Sequence, residues 1–283
     1  MPLYSLRLEP RSLYLRHCLQ YSQIWIRTYL KTLSLFLRKE KPVLSPRKLS
    51  KNFQTNIALL DLEDRLPQAS FAQKVLDFLQ DKQIAFVQAQ TGIGKTYGYL
   101  LPALSLENEK GILLSVPTKI LQNQIIQEEA RRLEEVFHLS IHSLKGPQNY
   151  LKLDALHLAL QEEETNRLYT RFKMQLLVWL TETDTGDLDE IGQLYRYQQF
   201  LPNLVHDGKL SKDSLFWLED FWKRSQKKAR SCQLLVTNHA YLVTRLEDDP
   251  SLLEGRLLIL DEAQKILLTL ENLSQKSFLL NDI

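Results

Sequence analysis

Short runs of apolar residues recur along the chain, and each is followed by a turn or by a helical pattern. The runs occupy residues 84–88, 112–116, 234–237 and 257–260. Continuous apolar runs of this length, bounded by turn signals, are typical of strands that are buried on both faces of a parallel sheet. Strands that alternate with helices predict an α/β fold, whose functional site lies at the carboxyl ends of the strands.

Other stretches have patterns that predict helices. Residues 66–79 and residues 120–137 repeat apolar residues at helical spacing. Residues 151–230 are rich in Leu, Glu, Gln and aromatic residues and contain few strand-like runs, so we expect a mainly helical insertion between the second and third strands. The predicted domains are a basic arm and linker (1–55), the first part of the α/β domain (56–150), the insertion (151–230) and the second part of the α/β domain (231–283).

The composition is that of a soluble globular protein, with 44% hydrophobic and 25% charged residues. The formal net charge is only +2, but basic residues are concentrated in residues 1–55. Such an arm could bind nucleic acid or an anionic membrane surface, or it could be a solvated linker or a transit peptide. The best candidate for a membrane span, residues 24–37, is interrupted by Arg27 and Lys31, so we expect no membrane partner.

Cysteine usage limits the metal chemistry and indicates the location. The chain has two cysteines, Cys18 and Cys232, which are far apart in the sequence. Two cysteines cannot form a disulfide framework or a four-cysteine metal site. We therefore expect a cytoplasmic protein in a reducing compartment.

The strongest motif is AQTGIGKT at residues 89–96, which follows the first apolar run. After a buried strand, such a turn points backbone N–H groups at phosphate oxygens, and glycine is needed where a side chain would block the approach. The lysine would reach the β and γ phosphates of ATP, and the threonine hydroxyl would bind Mg²⁺. The pattern begins with Ala89 where a P-loop usually has glycine. The expected nucleotide contacts are Thr91, Gly92, Gly94, Lys95 and Thr96, with Thr96 also a metal ligand.

A second motif, LLILDEAQ at residues 257–264, delivers two acids at the end of an apolar strand. Asp261 would bind Mg²⁺, and Glu262 would orient and polarise the water that attacks the γ-phosphate. Alone, this pattern is weak, because acids also favour the start of a helix. Together with the upstream P-loop it is strong, and Lys95 and Glu262 are the expected catalytic residues.

These motifs and the segment VPTKILQNQ (116–124) resemble motifs I, Ia and II of superfamily 2 helicases. The segments KGPQNYL (145–151) and VTNHAYLV (236–243) resemble the DinG/XPD branch of that superfamily. The resemblance implies a RecA-like parallel sheet flanked by helices. It also implies that Gln68, in the segment RLPQ, contacts adenine. Alternatively, this segment is only a surface turn before a helix.

The resemblance implies an ATP-driven translocase that moves on single-stranded DNA or a forked duplex. The turn formed by Pro117, Thr118 and Lys119 would contact the DNA backbone, although Thr118 could also simply cap a helix. Asn238 and His239 follow a buried strand, where a direct contact with nucleotide or DNA is one reading. The other reading is that the histidine is a structural hydrogen-bonding residue.

Two residue patterns in the sequence depart from those of the family. Many DinG/XPD relatives hold an iron–sulfur cluster on four cysteines, which this chain cannot supply, so we expect no cluster. Gln264 stands where motif II of the family has histidine. We expect this change to affect the coupling of hydrolysis to movement more than nucleotide binding. The aromatic residues of SLFWLEDFW (214–222) would pack in the insertion or stack on bases, and the basic run at 223–230 would track phosphates or form a solvated helix face.

We therefore expect the first motor domain of a DinG-like helicase, truncated or split from the second domain, which supplies arginines to the γ-phosphate. A separate second motor domain is an expected partner. Two other functions remain open: a nucleotide- or DNA-binding fragment without turnover, and a P-loop ATPase of another lineage that acts on a protein.

Overall fold

The computed structural model describes residues 49–81, 84–106, 111–248 and 250–274. The apolar segment 24–37 and nearly all of the basic arm lie outside the described residues. Contacts between Cα atoms divide the described chain into two units. We call residues 146–225 the helical unit, and the residues before and after it the sheet unit. The domain boundaries expected from the sequence stay a prediction.

The sheet unit contains four parallel strands in the order β2-β3-β1-β4. Every residue of β1 and β3 is buried, which explains why most residues of these segments are apolar. The parallel α/β architecture is confirmed, and three of the four predicted strands form. The shortest strand was not expected, because its sequence, IHS, lacks an apolar run. The strands are β1 (Ile112–Val116), β2 (Ile141–Ser143), β3 (Leu234–Asn238) and β4 (Leu257–Leu260).

The strand expected at residues 84–88 is wrong. This segment forms no regular secondary structure and has no ladder partners among the described residues, and Ile84 and Phe86 are 94% and 92% exposed. A strand forms only where a neighbouring strand accepts its hydrogen bonds. β4 ends the sheet formed by the described residues, and its alternate residues Leu258 and Leu260 are partly exposed. The segment therefore has the composition of a strand, but composition alone does not supply the neighbouring strand with which it would pair.

Helices pack against the sheet, and other helices form much of the helical unit. The two predicted helical stretches are confirmed, although the second contains a π-helical segment at Ile126–Ala130. No helix of the described residues is both long enough and apolar enough to cross a bilayer. The α-helices are α1 (Phe53–Leu59), α2 (Leu66–Gln80), α3 (Lys95–Ser105), α4 (Lys119–Ile125), α5 (Arg131–Phe137), α6 (Leu153–Gln161), α7 (Arg167–Glu182), α8 (Phe221–Ser231), α9 (His239–Asp248) and α10 (Lys265–Ser274).

The hydrophobic core of the sheet unit fixes α3 against the sheet. Leu100, Leu101 and Ala103 of α3 are fully buried in one cluster with Ile112 and Leu114 of β1. The first residues of α3 carry the P-loop lysine and threonine. Burial of the helix body therefore determines where these polar residues lie relative to the strand ends.

Aromatic packing dominates the helical unit. Phe172 stacks on Tyr197 with ring centroids 4.3 Å apart, and Phe221 is buried in the same cluster. The Lys223 ammonium lies 3.0 Å from the centre of the Trp217 ring, so it covers one face of that ring. These contacts agree with the packing role expected for the aromatic residues at 214–222.

We predict that the buried strand β1 contributes much more stability than the edge strand β4. Leu114→Ala should lower the free energy of unfolding by about 2–5 kcal/mol, because it leaves a cavity at a fully buried position. Leu258→Ala, at a position that is 37% exposed, should cost less than about 1 kcal/mol. Urea unfolding of the two variants measures the difference, and equal losses would contradict this account of the sheet.

Candidate active site

The P-loop makes a tight turn into α3. Gly92 and Gly94 have φ angles of 83° and 82°, in the left-handed region that glycine adopts without strain. α3 begins at Lys95, and its first hydrogen bond runs from the Gly98 N–H to the Gly94 carbonyl at 3.1 Å. The preceding N–H groups at the helix start remain available for an anion, and the helix dipole favours negative charge there. The turn therefore has the backbone features that a phosphate site requires.

Gln68 supports this turn from α2. Its side-chain Nε2 donates a 2.8 Å hydrogen bond to the Gly94 carbonyl, and the residue is only 5% exposed. A Cβ atom added to Gly94 would lie 2.2 Å from the same Nε2. Close packing against Gln68 is thus a second reason, besides φ, for glycine at position 94. The adenine contact expected for Gln68 stays a prediction.

Asp261 follows β4 directly and lies near the start of α3. The Tyr99 hydroxyl donates to its Oδ2 at 3.4 Å, and the same hydroxyl is hydrogen bonded to the Thr96 side chain. Burial raises the pKa of Asp261, whereas the positive charge of Lys95 lowers it. The structure thus brings together three of the expected site residues, Lys95, Thr96 and Asp261.

Glu262 occupies an unusual backbone conformation beside Asp261. Its φ angle is 50°, in the left-handed region that is uncommon for residues other than glycine. Its Oε2 lies 2.5 Å from the ammonium of Lys265, and its side chain is 33% exposed. The carboxylate is therefore near the candidate nucleotide site but is paired with a lysine in this conformation.

Asn238 and His239 are buried, and both are hydrogen bonded within the sheet unit. The Asn238 Nδ2 donates to Gln122 at 3.0 Å, and its Oδ1 accepts from the Tyr241 N–H at 2.9 Å. His239 is 0% exposed and contacts Ser115 and the Asp261 carbonyl. Neither side chain reaches the surface in this conformation, which agrees with the structural reading of the histidine. Their nucleic-acid contact stays a prediction.

The turn after β1 presents exposed polar groups. Thr118 is the N-cap of α4, and its hydroxyl accepts a hydrogen bond from the Leu121 N–H at 3.2 Å. The helix-cap reading of Thr118 is therefore confirmed. Thr118 and Lys119 are exposed and Pro117 is half-buried, so the turn is accessible to a phosphate backbone. The DNA contact itself stays a prediction.

Sequence reasoning missed two polar residues that organise the site. Tyr99 lies one helical turn after Thr96, a spacing that could have identified it as a neighbour. Gln122 donates its side-chain amide to Ser143 and to two backbone carbonyls of the sheet, Leu144 and Val236. The only signal in the sequence is a polar residue at a position of α4 that faces the sheet.

The donor set suits magnesium. A threonine hydroxyl and one carboxylate are the ligands that Mg²⁺ takes when substrate phosphates and water complete its shell. No group of three or more His, Cys, Asp or Glu side chains that could hold a metal occurs within residues 49–274 where they are described. Cys232 is a free, buried thiol. The absence of an iron–sulfur cluster stays a prediction, which rests on the presence of only two cysteines in the sequence.

Comparisons with known proteins point to one family. Residues 67–190 match the model of the DEAD/DEAH box helicase family. The chain is similar to proteins named 3'-5' exonuclease DinG: it is 34% identical over 221 residues to that of Bacillus subtilis and 31% over 215 residues to that of Staphylococcus saprophyticus. These alignments cover 71% and 73% of this chain but only 22% and 23% of the relatives. The chain thus spans less than a quarter of the relatives' length.

We predict that Gly94 and Gly92 respond differently to alanine. Both have similar positive φ angles, but a Cβ at Gly92 meets nothing within 4 Å, whereas one at Gly94 meets Gln68. Gly92→Ala should lower the free energy of unfolding by about 1–2 kcal/mol from backbone strain alone. Gly94→Ala should cost about 1–2 kcal/mol more, because the side chain must also be displaced.

The Gln68→Ala background separates the two contributions. Thermal unfolding without nucleotide should show that Gly94→Ala costs no more than Gly92→Ala once Gln68 is removed. If the excess cost of Gly94→Ala persists in that background, the contact with Gln68 is not its cause.

Proposed function

We propose that this chain, which contains a DEAD/DEAH box helicase domain and is homologous to the DinG proteins, is the first motor domain of a DinG-like DNA helicase and hydrolyses ATP. The single observation that supports this most is the meeting of α3 with the end of β4. A lysine, a hydroxyl and a carboxylate from those two elements lie around one site. That combination can hold a triphosphate and its metal.

Binding of the triphosphate follows from the P-loop. The backbone of Thr91, Gly92 and Gly94 offers N–H groups to phosphate oxygens, and Lys95 neutralises negative charge on the β and γ phosphates. Gln68 holds the turn in place through the Gly94 carbonyl, besides its proposed contact with adenine. Pre-formed donors of this kind bind the anion without being reorganised first.

Metal binding and hydrolysis involve the two acids after β4. Thr96 and Asp261 would hold Mg²⁺, which supplies charge neutralisation at the phosphate oxygens. Glu262 is the proposed general base that orients and polarises the attacking water. For that role its carboxylate must leave Lys265, with which it is paired in this structure.

DNA binding is proposed for the surface formed by Pro117, Thr118 and Lys119. The exposed hydroxyl and ammonium can bind phosphates without reading sequence. The buried Asn238 side chain is hydrogen bonded to Gln122 of α4, the helix that begins at Lys119. We propose single-stranded DNA or a forked duplex as the substrate, translocation coupled to hydrolysis as the activity, and the cytoplasm as the location.

A second motor domain is the proposed partner. In helicases that the motifs resemble, ATP is closed between two RecA-like domains, and an arginine from the second is worth about 10³–10⁵ in turnover. Without such an arginine, this domain should hydrolyse ATP slowly. Pairing of Glu262 with Lys265 favours one alternative, a fragment that binds nucleotide or DNA without turnover.

Single-turnover ATP hydrolysis tests the proposal, with and without single-stranded DNA. Lys95→Ala should weaken Mg-ATP binding at least tenfold, because it removes the positive charge at the phosphates. Glu262→Gln should keep the affinity and lower the hydrolysis rate by about 10²–10⁴, the usual contribution of a general base. Lys74→Ala, at an exposed position of α2, is the control and should match the wild type.

The outcomes separate the alternatives. Identical traces for the wild type, Lys95→Ala and Glu262→Gln would eliminate the enzymatic claim. Nucleotide binding with no hydrolysis, even when DNA is present, would favour the binding fragment. Hydrolysis without any DNA binding would favour an ATPase that acts on a protein partner.

We also predict that Lys119 makes one phosphate contact. Lys119→Ala should weaken binding of single-stranded DNA about equally for all base sequences, and it should lower the slope of log affinity against log salt by about 0.7. Fluorescence anisotropy over a salt series measures both quantities, with Lys74→Ala as the charge-matched control. An unchanged salt slope would place the DNA elsewhere.

A further inference from the structure

We propose that His239 is a positioning residue, which holds the main chain between Asp261 and Glu262 so that the proposed general base faces the nucleotide. The catalytic role in this inference rests on the proposed function, whereas the hydrogen bonds made by His239 do not depend on it. His239 does not reach the surface, so its role is exerted through the residues that it contacts.

One imidazole joins the carboxyl ends of three strands. Ser115 belongs to β1, His239 is the first residue after β3, and Asp261 is the first residue after β4. The His239 Nδ1 lies 2.8 Å from the Ser115 Oγ, and its Nε2 lies 3.0 Å from the Asp261 carbonyl oxygen. Ser115 and His239 are both fully buried.

The partners determine the tautomer of the ring. A carbonyl oxygen can only accept a hydrogen bond, so the Nε2 of His239 must carry the proton. In the neutral ring the Nδ1 is then an acceptor, and the Ser115 hydroxyl must donate to it.

The hydrogen bonds form a closed circuit. The Asp261 N–H donates to the Ser115 carbonyl at 2.9 Å, which extends the ladder between β1 and β4. The Asp261 carbonyl accepts from the His239 ring, and that ring accepts from the Ser115 side chain. Asp261 is therefore tied to Ser115 twice, once directly and once through the histidine.

The circuit fixes the peptide plane that precedes Glu262. The Asp261 carbonyl and the Glu262 N–H belong to one planar unit, so orienting that carbonyl restricts the ψ angle of Asp261 and the φ angle of Glu262. Glu262 has φ of 50°, which is sterically unfavourable for a residue with a Cβ. Such a conformation persists only where surrounding contacts impose it. The hydrogen bond from His239 is such a contact, and through this peptide it sets the direction in which the Glu262 side chain leaves the backbone.

The test compares four variants. His239→Leu removes both ring hydrogen bonds at similar volume, and His239→Gln keeps an amide N–H that can reach the Asp261 carbonyl. Ser115→Ala removes the hydroxyl that donates to the His239 Nδ1. Thr237→Val is the matched control, because it removes a buried side-chain hydrogen bond to the Leu144 carbonyl from the neighbouring part of β3.

We expect a split between binding and hydrolysis. His239→Leu should keep Mg-ATP affinity within about threefold and lower the single-turnover rate at least tenfold, because positioning of a general base accounts for much of its effect. His239→Gln should recover most of the rate. Thr237→Val should lower stability without changing the rate, which distinguishes positioning from a general loss of fold.

NMR of the nucleotide-free protein gives a readout besides activity. The nitrogen shifts of labelled His239 should identify the Nε2–H tautomer, and Ser115→Ala and His239→Leu should both shift the Glu262 amide resonance. If His239 carries its proton on Nδ1, or if the Glu262 resonance does not move, the inference is overturned.

The two proposals can fail separately. If the wild type hydrolyses ATP and His239→Leu matches it, the positioning role is wrong and the proposed function stands. If the wild type does not hydrolyse ATP in the presence of DNA, the ATPase proposal fails for this chain. The NMR result then decides whether His239 positions Glu262.

Discussion

Asp261 lies opposite the P-loop helix because β4 runs parallel to β1, with Leu257 beside Ile112 and Leu260 beside Ser115. A shift of one residue in this register would turn the side chains of β4 to the other face of the sheet and move both acids. The register is stabilised by burial of alternate β4 residues against the core that also holds α3. The roles proposed for Asp261 and Glu262 depend on this one parallel pairing.

The pairing places a carboxylate where it is poorly solvated. Burial disfavours the charged form of Asp261, and the negative charge of Glu262 adds to that effect. Lys95 opposes both effects, and the Tyr99 hydroxyl gives the carboxylate a hydrogen-bond donor. A site with this balance is well suited to a divalent cation, since the cation would add the positive charge that the protein only partly supplies.

Features of the fold and the site that depend on local sequence could be predicted, whereas features that depend on contacts between distant residues could not. β1 and β3 followed from their apolar sequences, because strands buried on both faces need little else. β4 followed from the same composition, although its alternate residues are partly exposed. The segment 84–88 has the same composition and yet forms no strand, since pairing depends on a distant neighbour. Likewise, the sequence identified His239 as a site residue but not its partner, because Ser115 is 124 positions away and nothing in either segment marks the contact.

At this site the backbone before Glu262 is held by hydrogen bonds, whereas the Glu262 side chain is held by an ion pair with Lys265. The peptide before Glu262 is held by a hydrogen bond from the fully buried His239 ring, which is costly to leave unmade. The ion pair between Glu262 and Lys265 is different, because the lysine side chain is 49% exposed and the glutamate 33%. A partly exposed pair contributes little net free energy, so a bound nucleotide or a rearranged solvent shell can separate it at modest cost. Pairing with Lys265 is therefore compatible with the general-base role proposed for Glu262, which also requires that the backbone carrying Glu262 is held in place.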